Sequence, residues 1–400
     1  MSLFSAAERL AALDRSGISY DPGRCLHAAD RQSDCKICVE ICPADAIEAG
    51  SPPVYKPDQC QECLACLAVC PTGSFSADDA FQGLINCAAR LETGIIELLC
   101  EHHDQPDLGL DSESNGIQIR GCLAGLGSGS YLALAAINQE KVQIRLDKCQ
   151  DCPWGELQSV IQSQVQLANE ILNNVGRQDM IQEVIEPSEV QGRPLWDASN
   201  PPLSRRDLFR MAARQSQIAL ARAYLNDLPE GTRRPGRDRL RINQAVQQLM
   251  EHHSLQEGDL PAGSFGLVRI SEECTACQAC ARSCPTRALE FEKDENCSHF
   301  QLKFSPEACI ACDVCTHVCA VEAVRVDHNP RLTQIFQREA PIILIEGPLK
   351  ECIKCGVDFA ASVEGEYCPV CSYRKGNPFA IKLPPGVQLP GNKPEIGDER

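Results

Sequence analysis

Cysteine is the residue type in this chain whose spacing could do chemistry. Cys60, Cys63, Cys66 and Cys70 fall as C-x-x-C-x-x-C-x-x-x-C before Pro71, and Cys274, Cys277, Cys280 and Cys284 repeat the rhythm before Pro285. Cys309, Cys312, Cys315 and Cys319 keep it with Ala320 in place of proline. Cys35, Cys38 and Cys42, followed by Pro43, supply its last three positions, and Cys25 stands ten residues ahead of Cys35 as the displaced first one. Thiolates this closely spaced suit the corner of an iron–sulfur cubane. Structural zinc or idle thiols are the competing reading, but zinc sites pair C-x₂₋₄-C groups across a longer loop. Residues 26–34 are polar (Asp30, Arg31, Gln32, Ser33, Asp34), as expected of a solvated loop that leaves the ligand run and returns to it.

Composition agrees with metal ligation. Of 400 residues 26 are cysteine, mostly in C-x-x-C groups rather than in the scattered pairs of a small secreted scaffold. Apolar runs such as residues 341–345 fall far short of the ~20 residues that cross a bilayer, so no membrane span is expected. Residues 1–13 lack the basic and greasy stretches of a secretory signal, so a reducing cytoplasm is the expected location. A net charge of -17 argues against nucleic acid and for partners with basic docking faces.

Across residues 21–76 and again across 264–328 the chain resembles the two-cluster bacterial ferredoxins. The resemblance implies two dicluster modules holding four [4Fe-4S] clusters, with ligands that cross between motifs. One cluster would take Cys25, Cys35, Cys38 and Cys70, and its companion Cys60, Cys63, Cys66 and Cys42. In the second module the sets would be Cys274, Cys277, Cys280 with Cys319, and Cys309, Cys312, Cys315 with Cys284. Cys25 is the ligand on which the first set depends most, because without it only three thiolates remain.

The elements between the modules alternate. Ser76 and Asp79 read as a capping box opening a helix over 76–91. Residues 95–99, 116–119 and 142–146 read as strands, 128–138 as a helix, and Pro153 as the first position of a long helix to about residue 174. This predicts a small α/β domain with a parallel sheet over 77–176, where ligands sit at the carboxyl ends of strands. Cys100, Cys122, Cys149 and Cys152 fall at or just past those ends. The arrangement resembles the iron–sulfur (delta) subunit of methyl-viologen-reducing hydrogenases, which implies a [2Fe-2S] cluster on these four. A redox dithiol at Cys149 and Cys152, or zinc with His102 and His103 beside Cys100, are the alternatives, although histidines beside a polar loop more often face solvent. Gly125, Gly127 and Gly129 do not have the spacing of a nucleotide loop.

The rest is connection and anchor. Residues 1–20 read as an N-terminal helix, 177–203 as a linker rich in Glu, Pro, Gly and Asn, and 204–263 as a helical basic segment. Its Arg205 and Arg206 imitate an export motif, but Ser204 and Asp207 explain them as a helix start. With Arg210, Arg214, Arg222, Arg233, Arg234, Arg237 and Arg239 they make a basic region, expected to be a solvated face or else a docking strip for an acidic partner. Residues 329–349 read as a connector and 375–400 as a Pro-rich tail. Cys352, Cys355, Cys368 and Cys371 have the layout of a zinc ribbon over 350–374, which rubredoxin-type iron would fit equally. All sets together leave Cys87, on a helix, and Cys297, in a polar turn, without a role.

The fold class expected is therefore α+β: two ferredoxin-like modules, an α/β domain, a helical linker and a ribbon. Lacking a nucleotide loop, a radical motif and a nucleophile elbow, the chain reads as a non-catalytic iron–sulfur electron-transfer subunit. The resemblance implies a separate catalytic oxidoreductase subunit, whether a molybdenum, tungsten or flavin enzyme or a heterodisulfide-reductase-like complex, with a ferredoxin or flavoprotein at the other terminus. A cluster-fed disulfide reductase working through Cys149 and Cys152, and an iron–sulfur assembly factor, are the alternatives.

Overall fold

Ile96, Leu98 and Leu99 or Ile117 and Ile119 form nearly unbroken apolar runs, as strands of a parallel sheet require. The computed structural model describes residues 17–91, 94–137, 141–186, 190–200, 233–258, 260–261, 263–336 and 341–376. It places five parallel strands in the order Ile181–Val184, Val142–Arg145, Ile96–Cys100, Asn115–Ile119, Leu195–Asp197. The two outermost strands lie in the stretch expected to be a linker. They are short and flanked by glycine and proline, so their composition hides them, and parallel pairing to Val142–Arg145 and Asn115–Ile119 is what makes them strands. Two helix starts also differ from expectation. Ser76 belongs to a strand, Phe75–Ser76, paired with Ser19–Tyr20, and the helix that follows is only Phe81–Ala88. Pro153 lies between two 3₁₀ turns, Cys149–Asp151 and Gly155–Leu157, ahead of the long helix Gln158–Asn173.

The modules repeat one plan. In the first, short hairpin strands Ile47–Glu48 and Val54–Tyr55 stand between helices Ile37–Glu40 and Ala65–Val69. In the second, Leu267–Ile270 pairs with Val324–Asp327, and Leu289–Lys293 pairs with His299–Phe304, around helices Ala279–Ser283 and Val314–His317. The longer hairpin continues into Ile342–Glu351 and Asp358–Ala360, giving a four-stranded sheet. What reads as a connector thus includes a strand of the second module's sheet, which runs without a break into the ribbon.

One helix joins the parts. Arg237–Met250 buries Ile242, Ala245, Val246 and Leu249, a helical stripe, in the same core as Leu98, Ile117, Leu134 and Ile161. Burying each of the three larger side chains contributes roughly 1.5–3 kcal/mol. Its arginines are not a solvated face. Arg237 and Arg241 both bond Asp79, the latter at 2.7 Å, and keep only 20% and 13% of their side chains exposed. Arg239 lies over the Phe265 ring at 3.6 Å. Asn243 donates to Glu307 O at 3.0 Å, so the helix touches the second module as well. Most of residues 1–20, Arg205, Arg206, Arg210, Arg214, Arg222 and the tail from 377 lie outside the described residues. Among the described residues no helix is long and apolar enough to cross a membrane.

Candidate metal centres

In both modules the backbone bends in the same way around its cysteines. Between ligands, Glu62 and Leu64, Ala276 and Gln278, and Ala311 and Asp313 all take left-handed conformations, with φ between 52° and 65°. Three residues after the last cysteine of each run comes another: Asp45, Gly73, Arg287 and Glu322. Only one of these ten is glycine, so the others hold strain of about 1 kcal/mol or more each. Such turns aim successive N–H groups at one point, the geometry of an anion nest. The N–H of Ser74 reaches Cys70 Sγ at 3.3 Å, that of Ala323 reaches Cys319 Sγ at 3.2 Å, and that of Glu62 reaches Cys60 Sγ at 3.4 Å. The run from Cys35 lacks the paired left-handed residues, since its first cysteine comes from a distance.

These turns gather sulfurs in fours. Cys25, Cys35, Cys38 and Cys70, the first tetrad, line one pocket with Tyr20, Pro71 and Phe75. Cys42, Cys60, Cys63 and Cys66 form a second, close enough to act on one another electrostatically. Cys284, Cys309, Cys312 and Cys315 form a third in the same way, and Cys274, Cys277, Cys280 and Cys319 line a fourth pocket. Burial first, and then the neighbouring thiols, push Cys38 up to about 12, Cys280 to about 12 and Cys312 to about 12. Four buried thiols therefore resist ionising together unless a cation neutralises them, and that donor chemistry fits an iron–sulfur cluster.

Residues 273–323 match the model of the 4Fe-4S dicluster domain. This stretch is a 4Fe-4S dicluster domain. It contains every cysteine of the third and fourth tetrads, together with the left-handed pairs that shape them. No curated protein matches the chain. The 21–76 module repeats the dicluster domain's turns, although residues 26–34 are inserted ahead of its second cysteine.

The central cysteines also converge. Cys100 ends its strand, Cys122 follows Asn115–Ile119, and Cys149 follows Val142–Arg145; with Cys152 they line one pocket beside His102, His103 and Trp154. Burial raises Cys100 to about 11 and Cys149 to about 12, and it pushes Cys122 up as well. Below the pocket lies a buried charge network that the sequence reading missed. Arg145 binds Asp147 through Nε and Nη2 at 2.8 and 2.9 Å and Glu97 at 2.8 Å, and His103 Nε2 meets Asp147 at 3.3 Å. His103 is thus buried and partnered, contrary to the solvent-facing expectation, because Asp147 gives its ring a partner. The signal available was a charged residue inside an apolar strand, at Glu97 and at Arg145.

In the ribbon the ligand atoms of Cys352, Cys355, Cys368 and Cys371 lie within 4.8 Å of one another. Although burial acts to raise the Cys352 thiol, N–H groups of Cys368, Lys354 and Cys355 bring it down to about 6. Burial pushes Cys371 up to about 12. Cys87 is buried, its Sγ 3.9 Å from Asp197 O, and Cys297 is exposed in the hairpin turn; neither lies in any tetrad.

Proposed function

We propose that the chain is an iron–sulfur electron-transfer subunit that relays single electrons through four [4Fe-4S] clusters to or from a separate catalytic oxidoreductase. Each of the four module tetrads would hold one cluster, the central tetrad a [2Fe-2S] cluster, and the ribbon a zinc ion. The observation that carries this reading is the match of residues 273–323 to the dicluster domain. The recurrence of the same left-handed turns in residues 21–76 supports extending it to the first module. Four thiols around the central pocket favour a cluster over a Cys149/Cys152 dithiol, which would leave Cys100 and Cys122 idle.

As partner we infer a molybdenum, tungsten or flavin enzyme, or a heterodisulfide-reductase-like complex, with a ferredoxin or flavoprotein at the other terminus. The cytoplasm is the compartment that would keep these thiols reduced. The test is metal and sulfide analysis of anaerobically purified protein. About sixteen irons in cubanes, about two more in the central site and one zinc per chain are expected. Zinc in the module tetrads with little iron would overturn the reading.

A further inference from the structure

The insertion in the first module has a place to go. In the second module C-x-x-C spacing is enough to gather the matching cysteines into a tetrad, so residues 26–34 are not needed to bring Cys25 to its own. Their first turn, Leu26–Ala29, buries Leu26 against Ile310 and Val314 of the dicluster domain, with Cys35 and Cys312 packed on that same cluster. Asp30 Oδ2 accepts a hydrogen bond from His317 Nδ1 at 2.7 Å, across the two modules. On its other side the insertion is tied to its own module: His27 Nε2 lies 2.9 Å from the Cys35 carbonyl oxygen, and its Nδ1 lies 3.2 Å from Ser51 Oγ. The insertion is a seat, fastened on one side and docked on the other.

The remaining junctions fall into sequence with this one. Trp154, beside the central tetrad, donates from Nε1 to Gln61 at 2.8 Å, and Gly125 lies so close to Cys63 and Leu64 that a Cβ there would meet the Cys63 oxygen at 3.1 Å. The central tetrad therefore abuts the second. Cys66 of the second tetrad shares one apolar cluster with Cys38 and Cys70 of the first. Cys315 and Cys284 of the third share one with Cys280 and Cys319 of the fourth, whose Cys277 is exposed.

We propose that residues 26–34 are an electron-transfer bridge, and that the five sites form one line from the central tetrad to the fourth, crossing between modules where Cys35 and Cys312 pack on the Leu26 cluster. This rests on the cluster-bearing reading of the tetrads. At the crossing one electron leaves the reduced cluster of one module and reduces the oxidised cluster of the other. The donor loses what the acceptor gains; no proton moves and no bond changes. The first electron comes from a low-potential one-electron donor, dithionite in the test.

Full-length wild type, Leu26→Ala, Asp30→Lys and the charge-swapped Asp30→Lys/His317→Asp are compared anaerobically by iron content and by EPR power saturation after full reduction. Asp30→Lys alters the junction's ion pair, in which Asp30 is largely buried and His317 half exposed, and keeps the test open if Leu26→Ala loses its clusters. With iron undiminished, the half-saturation power should fall severalfold in Asp30→Lys, as spin coupling between modules is lost, and should recover in the charge-swapped protein. Unchanged saturation in iron-replete variants, or no recovery on swapping, overturns the bridge while leaving the cluster reading intact. Absence of iron from the wild type overturns that reading and the bridge with it.

Discussion

A buried thiol close to three others is a poor acid, and this decides what a single substitution does. Cys122→Ser removes one donor from a site that cannot use solvent in its place. It should abolish a [2Fe-2S] resonance at low temperature while about sixteen cubane irons remain; loss of cubane signals instead would show the sites to be interdependent. Arg145 presents the opposite case, a buried cation shared by two acids. Arg145→Met removes the cation shared by Glu97 and Asp147, leaving Asp147 to His103 and Glu97 to Arg193, whose Nε lies 3.6 Å away, and should cost about 3–5 kcal/mol, read by urea denaturation at neutral pH. Asp147 is held below its ordinary value: burial opposes this, but hydrogen bonds from His103 and Arg145 outweigh it. Its contribution is therefore complete above 3.8 and fades as pH falls below that value, so the gap between wild type and variant should narrow in acid. A gap that widens there would exclude this network as the cause. The cysteine runs were legible in the sequence because C-x-x-C spacing is local. The Arg145 network was not, since its members lie on separate strands and meet only once the sheet has formed.

At the scale of elements, the helix Arg237–Met250 crosses Ser128–Ile137 so closely that a side chain does not fit between them. A Cβ on Gly129 would lie 2.5 Å from the Asp238 carbonyl oxygen and 2.6 Å from Arg241 Cβ, and the Gly129 N–H already binds Asp238 Oδ1 at 2.8 Å. Gly129→Ala should therefore cost about 1–3 kcal/mol, seen as a lower thermal midpoint with iron content unchanged before melting. An unchanged midpoint would mean that the two helices separate freely. The strands 95–99, 116–119 and 142–146 were readable to within a residue or so because each carries its own apolar run. The helix start at Ser76 was misread for a physical reason: the three-residue pattern it makes with Asp79 competes with strand pairing to Ser19, while Asp79 is drawn away to Arg237 and Arg241. The edge strands 181–184 and 195–197 have no pattern of their own and exist through their neighbours.

Over the whole molecule the same dependence sets how the tetrads are ordered. The resemblance to two-cluster ferredoxins implied which cysteines group in each module but gave no hint of the order of the tetrads, because the contacts that set it join residues hundreds of positions apart. The ribbon is the clearest case. Its strand Asp358–Ala360 extends the second module's sheet, and the N–H of Ala360 binds the oxygen of Thr275, which lies inside the ligand run of the fourth tetrad. Ala276, Phe300 and Ala360 pack as one cluster over that run. A metal held by Cys352, Cys355, Cys368 and Cys371 would thus fasten a cover over the fourth tetrad at a distance from its own site. Cys368→Ser should release that cover, and hydrogen exchange at the Ala360 amide should accelerate. Reduction adds negative charge to a thiolate-held cluster, and water stabilises the more highly charged form, so opening the cover favours the reduced state. The midpoint potential of the fourth tetrad should rise in an EPR-monitored redox titration, while those of the first and second tetrads stay where they were. A uniform shift of all the midpoints would point to loss of the fold, and no shift at all would make the ribbon an independent appendage.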